Sequence, residues 1–231
     1  MIEANQSGIG TVSANTPEFR QVFISRVHEV VEGGYKRLRS GAYAKEEEPT
    51  ITGELRKAMD SYLRDLVAPD WADYFSVHDD PPVDDGIHKG KSRNRIDIRI
   101  DSSTPRPGVT FSFEAKRLAR GFAVGKYLGK EGLGAFLCGE YARNEDDAGM
   151  LGYMQDDDAA YWSGQIVRAI QKAPGAHEVT GTDWWRSHTF PRGPRHAFVS
   201  VHSRSVVGRP ITIYHTLLVF CSDDEKQGNE E

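Results

Sequence analysis

RNRIDIRID (Arg93–Asp101), SSTPRPG (Ser102–Gly108) and VTFSFEAKRL (Val109–Leu118) follow one another in the chain, and together they decide the fold. The first and third segments alternate polar and apolar residues with a period of two, which is typical of β-strands with one buried face. The middle segment is built from serine, threonine, proline, arginine and glycine, a composition typical of a turn. The sequence therefore predicts a β-hairpin with a long loop.

Two acids and a lysine of this hairpin are expected to lie close together. Alternate residues of a strand point to the same side, so Glu114 and Lys116 share one face. The midpoint between positions 97 and 114 falls between Pro105 and Arg106, inside the turn. A symmetric hairpin with this centre places Asp97 opposite Glu114 on the neighbouring strand.

Such a pair of carboxylates indicates a metal site. Two carboxylates held together repel and raise one another's pKa unless a divalent cation lies between them. Hard oxygen ligands suit Mg²⁺ or Mn²⁺, which take the rest of their coordination from water and phosphate oxygens. Lys116 beside the metal would orient the attacking water and offset the charge of the transition state. The three residues Asp97, Glu114 and Lys116 therefore predict hydrolysis of a phosphodiester.

The motif formed by Asp97 on one strand and EAK (114–116) on the next resembles the PD-(D/E)xK nuclease superfamily in order and spacing. The resemblance covers the chain from about Glu46 to Ile170. One departure is Ile96, which stands where the name of the pattern has proline.

The resemblance implies a restriction endonuclease-like fold, an α/β sandwich with a central mixed β-sheet flanked by α-helices and an αβββαβ core. It also implies a nuclease that depends on Mg²⁺ or Mn²⁺, with Asp97 and Glu114 as metal ligands and Lys116 in the catalytic set. DNA is the first expected substrate, and RNA is the alternative that shares the same chemistry. By analogy with the family, we expect a role in restriction or antiviral defence.

In many relatives a helix before the hairpin contributes a further acid. The segment EEEPTITGEL (Glu46–Leu55) is similar to the E-x-x-I-T segment of those relatives and points to Glu48. Glu54 is the competing residue. The two are separated by roughly 240° around a helix, because one turn takes about 3.6 residues, so they cannot both face the hairpin. We favour Glu48 as the fourth catalytic residue.

Further elements are expected on both sides of the hairpin. Apolar residues recur at three- and four-residue steps from Pro17 to Tyr35 and again from Pro49 to Leu66, which predicts two amphipathic helices. Two more helices are expected at Glu131–Arg143 and Ala159–Lys172, and strands are expected at Tyr74–Val77, Gly149–Met154, His196–Arg204 and Ile211–Cys221. Helices that alternate with strands in this way favour an α/β sandwich around a mixed sheet.

The 231-residue chain has the length of one domain. We expect a flexible N-terminal segment (1–16), a single domain (17–221) and an acidic flexible tail (222–231). No apolar run reaches the ~18 residues that a bilayer requires, and no secretory signal is recognisable, so we expect a cytoplasmic protein without membrane contact. Cys138 and Cys221 are expected to be buried free thiols.

Charge is distributed unevenly along the chain. The net charge of −5 argues against a general nucleic-acid coat protein, but basic residues are dense between Lys89 and Lys130. They are candidates for contacts with backbone phosphates, and a solvated basic face is the alternative for each of them. The candidates are Arg93, Arg95, Arg117, Arg120, Lys126 and Lys130.

Three other features are interpreted as structural. The glycine-rich stretch from Gly125 to Lys130 fails the spacing of a nucleotide-triphosphate loop. His202 and His215 are expected to be hydrogen-bonded histidines of the sheet rather than metal ligands. Trp184 and Trp185 could stack on unpaired bases, but a loop that anchors itself in the core is the favoured interpretation.

A non-enzymatic function is the main rival. A catalytically silent subunit with a nuclease-like fold would bind nucleic acid or another protein within a larger complex, and the acidic balance suits protein contact. No zinc finger or helix-turn-helix is evident, so specificity is expected to come from a partner or from the structure of the nucleic acid. We also expect a protein partner or a homo-oligomer. The complete set of Asp97, Glu114 and Lys116 favours the nuclease.

Overall fold

The computed structural model describes residues 16–83, 94–104, 108–121 and 124–221. Its helices are α1 (Pro17–Tyr35), α2 (Glu48–Leu63), α3 (Val124–Leu128), α4 (Leu133–Leu137) and α5 (Ala159–Lys172), with short 3₁₀ turns at Ser40–Tyr43 and Asp70–Tyr74. Its strands are β1 (Phe75–Asp79), β2 (Ile98–Ser102), β3 (Val109–Leu118), β4 (Asp147–Met154), β5 (Trp185–His188), β6 (Ala197–His202) and β7 (Ile211–Val219). The expected tail (222–231) and all but Thr16 of the expected N-terminal segment lie outside the described residues. The division into segment, domain and tail stays a prediction.

The seven strands form one mixed sheet in the order β1-β2-β3-β4-β7-β6-β5. Strand β4 runs parallel to both of its neighbours, β3 and β7, and the other pairs are antiparallel. The α/β class with a mixed sheet and flanking helices is therefore confirmed. Over the described part of the chain, no helix combines the length and the apolarity that crossing a membrane requires.

Each face of the sheet carries its own hydrophobic core. Helices α1 and α2 pack on one face, where Ile98, Phe111 and Phe113 are buried among their apolar residues. Helices α3, α4 and α5 cover the other face. Strand β3 is consequently buried on both sides over much of its length, and polar side chains on it are withdrawn from water.

Local sequence explains the course of α1. Thr16 caps the helix by accepting a hydrogen bond from the Phe19 backbone, and Pro17 occupies the first turn. The helix continues through Gly33 and Gly34. A Cβ at Gly33 would lie 2.5 Å from the ring of Tyr62, so this glycine allows close contact between α1 and α2.

Three expectations about elements are wrong. Of the single helix expected at Glu131–Arg143, only α4 (Leu133–Leu137) forms; it ends before Gly139, whose φ of 76° lies in the left-handed region that an α-helix does not continue through. Leu66 was expected to face the core, but α2 ends at Leu63 and Leu66 is fully exposed. Strand β5, which includes Trp185, was expected to be a loop; it pairs with β6, and its tryptophan stacks on Phe198.

Candidate active site

The hairpin has the register that places the predicted acids together. Ile98 pairs with Phe113 and Arg99 with Ser112, so the next position of the ladder sets Asp97 opposite Glu114. Asp97 lies just before β2, and its Oδ2 accepts a hydrogen bond from the Ala115 backbone at 2.7 Å. The predicted proximity of Asp97 to the EAK segment is therefore confirmed.

Lys116 joins this pair to helix α2. Its Nζ donates to Glu114 Oε1 at 2.7 Å, to Glu48 Oε1 at 3.0 Å and to the Ala115 carbonyl at 2.7 Å. Glu48 opens α2, and its second oxygen accepts from the Arg117 backbone at 3.2 Å. We call Glu48, Asp97, Glu114 and Lys116 the carboxylate–lysine cluster.

The choice between the two glutamates of α2 follows from their positions. Glu48 contacts Lys116, whereas Glu54 forms an ion pair with Lys57 at 2.7 Å on the exposed side of the helix. The helix geometry thus separates them as expected, and Glu48 is the one that reaches the cluster.

Burial makes the cluster electrostatically unusual. Glu114 is 5% exposed, and burial together with the charge of Asp97 raises its pKa to about 8. Burial also raises the pKa of Asp97. Burial alone lowers the pKa of Lys116, but the surrounding carboxylates, Glu114 first, outweigh it and hold that pKa above its ordinary value. Two acids therefore lie where their charged forms are poorly solvated.

One oxygen of the cluster lacks a partner. Oε2 of Glu114 is buried and has no hydrogen bond to any described residue. Among the described residues, no group of three or more histidine, cysteine, aspartate or glutamate side chains is arranged to hold a metal ion. Asp97 and Glu114 are the two side chains of the cluster that could hold a Mg²⁺ ion, which usually takes one or two carboxylates and completes its coordination with water and phosphate oxygens.

Asp80 is a neighbour that the sequence prediction missed. Its backbone adopts the left-handed region, with φ of 47°, and its amide donates to the carbonyl of Asp97 at 3.1 Å. Its carboxylate forms an ion pair with Arg95 at 2.5 Å, and its charge contributes to the raised pKa of Asp97. An aspartate directly before Pro81 and Pro82 was a signal for such a turn, because aspartate tolerates positive φ better than most residues.

Two of the predicted basic residues line a recess beside the cluster. Its volume is about 330 Å³, and its walls include Lys126, Lys130 and Gly125 together with Glu48 and Lys116. We call this space the lysine recess. A Cβ added to Gly125 would meet no described atom within 4 Å apart from its own neighbours in the helix, so the recess reaches the backbone there.

Three of the other predicted basic residues have protein partners. Arg117 donates to Gln155 at 2.7 Å and to Glu47 at 2.5 Å, and its side chain is 11% exposed. Arg120 forms an ion pair with Asp157 at 3.2 Å, and Arg95 is paired with Asp80. Arg93 lies outside the described residues.

A second buried polar group crosses β6 and β7. Tyr127 Oη lies 2.9 Å from His215 Nδ1, His215 Nε2 lies 2.8 Å from Ser200 Oγ, and Ser200 Oγ lies 2.6 Å from His202 Nε2. The series ends where His202 Nδ1 lies 2.6 Å from the carbonyl of His177. We call Tyr127, His215, Ser200 and His202 the histidine chain.

The donor and acceptor of each hydrogen bond in the histidine chain follow from the bond at its end, between His202 and the carbonyl of His177. The carbonyl of His177 only accepts, so His202 Nδ1 donates and its Nε2 accepts from the Ser200 hydroxyl. Ser200 Oγ then accepts from His215 Nε2, and His215 Nδ1 accepts from Tyr127. All hydrogen-bonding positions are used, so the expectation that His202 and His215 are bonded histidines of the sheet is confirmed.

Comparison of the chain with models of known protein families, with curated proteins and with solved structures finds no match.

Proposed function

We propose that this chain is a Mg²⁺-dependent nuclease of the PD-(D/E)xK kind that hydrolyses phosphodiester bonds of DNA. The observation that carries the proposal is the position of Asp97 opposite Glu114, whose buried Oε2 has no partner among the described residues, with Lys116 beside them. A buried acceptor left without a donor is costly, and a bound cation would satisfy it.

The order of elements supports the same superfamily. Helix α2, strands β1, β2 and β3, the short helices α3 and α4 and strand β4 follow the αβββαβ order expected from the resemblance. The first three strands are consecutive antiparallel neighbours, and β4 joins β3 in parallel. The candidate site lies directly before β2, on β3 and on the first turn of α2, close to the arrangement that the resemblance implies.

Each residue of the cluster has a distinct task in this proposal. Asp97 and Glu114 hold the cation, which when bound supplies Lewis acidity and lowers the pKa of water. Lys116 orients the attacking water and offsets the negative charge that develops on the phosphate. Glu48 holds the ammonium of Lys116 from the side of α2, so that the lysine stays directed to the reacting atoms.

The lysine recess supports a polyanionic substrate. Three carboxylates around one ammonium leave the cluster acidic, and a phosphodiester would be repelled without additional positive charge. Lys126 and Lys130 supply that charge at the mouth of the site. A role in restriction or antiviral defence remains part of the proposal on the strength of the family resemblance alone.

The proposal is tested by incubating the purified protein with duplex DNA, single-stranded DNA and RNA in the presence of Mg²⁺, Mn²⁺ or a chelator. We expect cleavage of DNA that requires the cation and that falls by about 10²-fold or more in Asp97→Asn and Lys116→Ala. Cleavage that persists in both variants would exclude the cluster as the active site. Absence of cleavage with every substrate and cation would instead favour the silent binding subunit.

A matched pair on α2 tests the role of the helix acid. Glu48→Gln removes the charge that holds Lys116, whereas Glu54→Gln removes a charge from the exposed side of the same helix. We expect a clear loss of activity only in Glu48→Gln. Equal activities of the two variants would show that α2 contributes no catalytic carboxylate.

A further inference from the structure

A second recess lies on the same side of β3 as the cluster. It has a volume of about 190 Å³, and its walls include Thr110, Ser112, Arg99 and Arg143. We call it the arginine recess. Thr110 and Ser112 alternate along the strand with the phenylalanines of the opposite core, so they share a face with Glu114 and Lys116.

The two recesses lie at opposite ends of the cluster. Lys116 lines the lysine recess and Ser112 lines the arginine recess, with Glu114 between them on β3. Four residues of a strand span about 13 Å. Phosphates of one duplex strand advance about 3.4 Å each along the axis, so this span corresponds to roughly four nucleotides.

Arg143 is a basic side chain of the arginine recess that is not neutralised by a partner among the described residues. In the part of the chain that the structure describes, it has no ion pair and no hydrogen bond. Arg99 is paired with Asp101 at 3.1 Å, and the acid of this recess, Glu145, accepts a hydrogen bond from Thr110 at 3.3 Å. A half-buried guanidinium without a counter-charge attracts an anion.

The loop that carries Arg143 is held in a defined position. Arg204 is fully buried and donates to the carbonyls of Ala142 at 2.7 Å and of Glu145 at 2.9 Å, on either side of Arg143. Ala142 has a φ of 48°, a conformation that costs free energy in a residue other than glycine. A strained loop pinned by a buried arginine presents Arg143 in one place, as a binding site requires.

We infer that a polynucleotide backbone crosses the carboxylate–lysine cluster from one recess to the other. Lys126 and Lys130 bind phosphates on one side of the bond to be cut, and Arg143 with Arg99 binds phosphates on the other side. The inference rests on the proposed function and adds the route of the substrate. Because both sides of the cut bond are held, the enzyme cleaves within a strand and needs no free end.

The route is tested first by binding, in a chelator, with short labelled DNA and fluorescence anisotropy at several salt concentrations. We expect Arg143→Ala and Lys130→Ala each to weaken binding by roughly tenfold. Each should also reduce the slope of log K against log salt by about 0.7 for a single strand and about 0.9 for a duplex. Arg143→Lys should restore the slope, because it restores the charge.

Arg192→Ala is the matched control, because Arg192 is exposed and is paired with Glu29 of α1 on the other face of the sheet. We expect its affinity and salt slope to equal those of the wild type. An Arg143→Ala variant that binds like this control, or a wild-type protein that does not bind the DNA, would overturn the route.

Cleavage of circular DNA, which has no ends, tests the second consequence. We expect the wild type to open the circle and Arg143→Ala to open it more slowly. Degradation of linear DNA from its ends with intact circles would overturn the route but keep the nuclease. Binding that depends on Arg143 without cleavage of any DNA would keep the route and overturn the proposed function.

Discussion

The carboxylate–lysine cluster and the histidine chain are two groups of buried polar side chains on one sheet. They differ in whether every hydrogen-bonding atom has a partner. In the histidine chain, every donor from Tyr127 to His202 has an acceptor, and the chain can remain neutral. In the cluster, Glu114 Oε2 has no partner among the described residues, and the pKa of Glu114 is raised to about 8 by burial and by Asp97.

The difference separates a structural network from a candidate binding site. Buried polar groups that satisfy one another rigidify a fold, whereas a group that remains unsatisfied is costly unless a ligand completes it. The histidine chain also ties α3, through Tyr127, to the sheet, and α3 carries Lys126 of the lysine recess. The histidine chain, whose hydrogen bonds are complete, therefore helps to hold one wall of the lysine recess beside the cluster.

The largest effect is expected for Glu114→Gln. The amide keeps the shape of the side chain but removes a ligand of the proposed cation, so cleavage should fall by about 10²-fold or more. The melting temperature should change little, because a pKa of about 8 leaves most of the Glu114 side chain uncharged at neutral pH and the amide oxygen can still accept from Lys116. Steady-state cleavage and thermal unfolding, with Glu54→Gln as the control, check both parts. If Glu114→Gln were strongly destabilised but still active, the carboxylate–lysine cluster would be structural rather than catalytic, and the prediction would be wrong.

Ser200→Ala should lower stability and leave activity unchanged, which is the opposite of the result expected for Glu114→Gln. It leaves the Nε2 atoms of His202 and His215 without partners, which should lower the free energy of unfolding by about 2 to 4 kcal/mol. Activity per folded molecule should stay near that of the wild type. Ser76→Ala is the control, because Ser76 also bonds a histidine, His78, at 3.1 Å but on the exposed surface. Urea denaturation measures the difference, and equal stabilities of the two variants would contradict the prediction.

The histidine chain should contribute to the pH dependence of stability. Burial lowers the pKa of His202 to about 4, and burial also lowers the pKa of His215. Between about pH 4 and about pH 6.5 the unfolded chain therefore binds more protons than the folded one, so the free energy of unfolding falls as the pH falls.

His202→Asn tests this slope. The asparagine amide can still donate to the His177 carbonyl but cannot titrate, so the slope in that window should become shallower by up to about 1.4 kcal/mol per pH unit. Urea denaturation at several pH values provides the measurement. An unchanged slope would mean that His202 does not stay neutral in the folded protein.

The smallest effect is expected from Mg²⁺ on stability. A ligand that binds only the folded state stabilises it, by about 1.4 kcal/mol at ten times its dissociation constant. We expect Mg²⁺ to raise the melting temperature of the wild type and not that of Glu114→Gln. The same rise in both proteins would place the cation outside the cluster.

The hairpin and its register were predictable because their causes are local. The period of two and the turn composition lie within the stretch from Arg93 to Leu118, and they place Asp97 opposite Glu114 without help from the rest of the chain. Helices α1 and α5 were predictable for the same reason, since each contains its own amphipathic repeat. Strand β5 was not, because only its pairing with β6 defines it.

The partners of the basic residues could not be predicted from their spacing in the sequence. Arg117 follows Lys116 directly, yet it is paired with Glu47 and Gln155, which are distant in the chain. Arg143 is far from the hairpin in sequence, yet it shares a recess with Thr110 and Ser112. Long charged side chains take whichever partner the packed segments bring within reach, and sequence neighbours carry no information on that.

The sequence by itself determined the α/β class, the hairpin and the proximity of Asp97 to Glu114, because strand periodicity and turn chemistry act over short distances. The tertiary structure decided that Lys116 contacts Glu48, that Asp80 stands beside Asp97 and that Glu114 Oε2 is buried without a partner. Burial and long-range pairing depend on how separate elements pack together. A local pattern therefore names the residues of this site, and only the packed fold determines their charge and their partners.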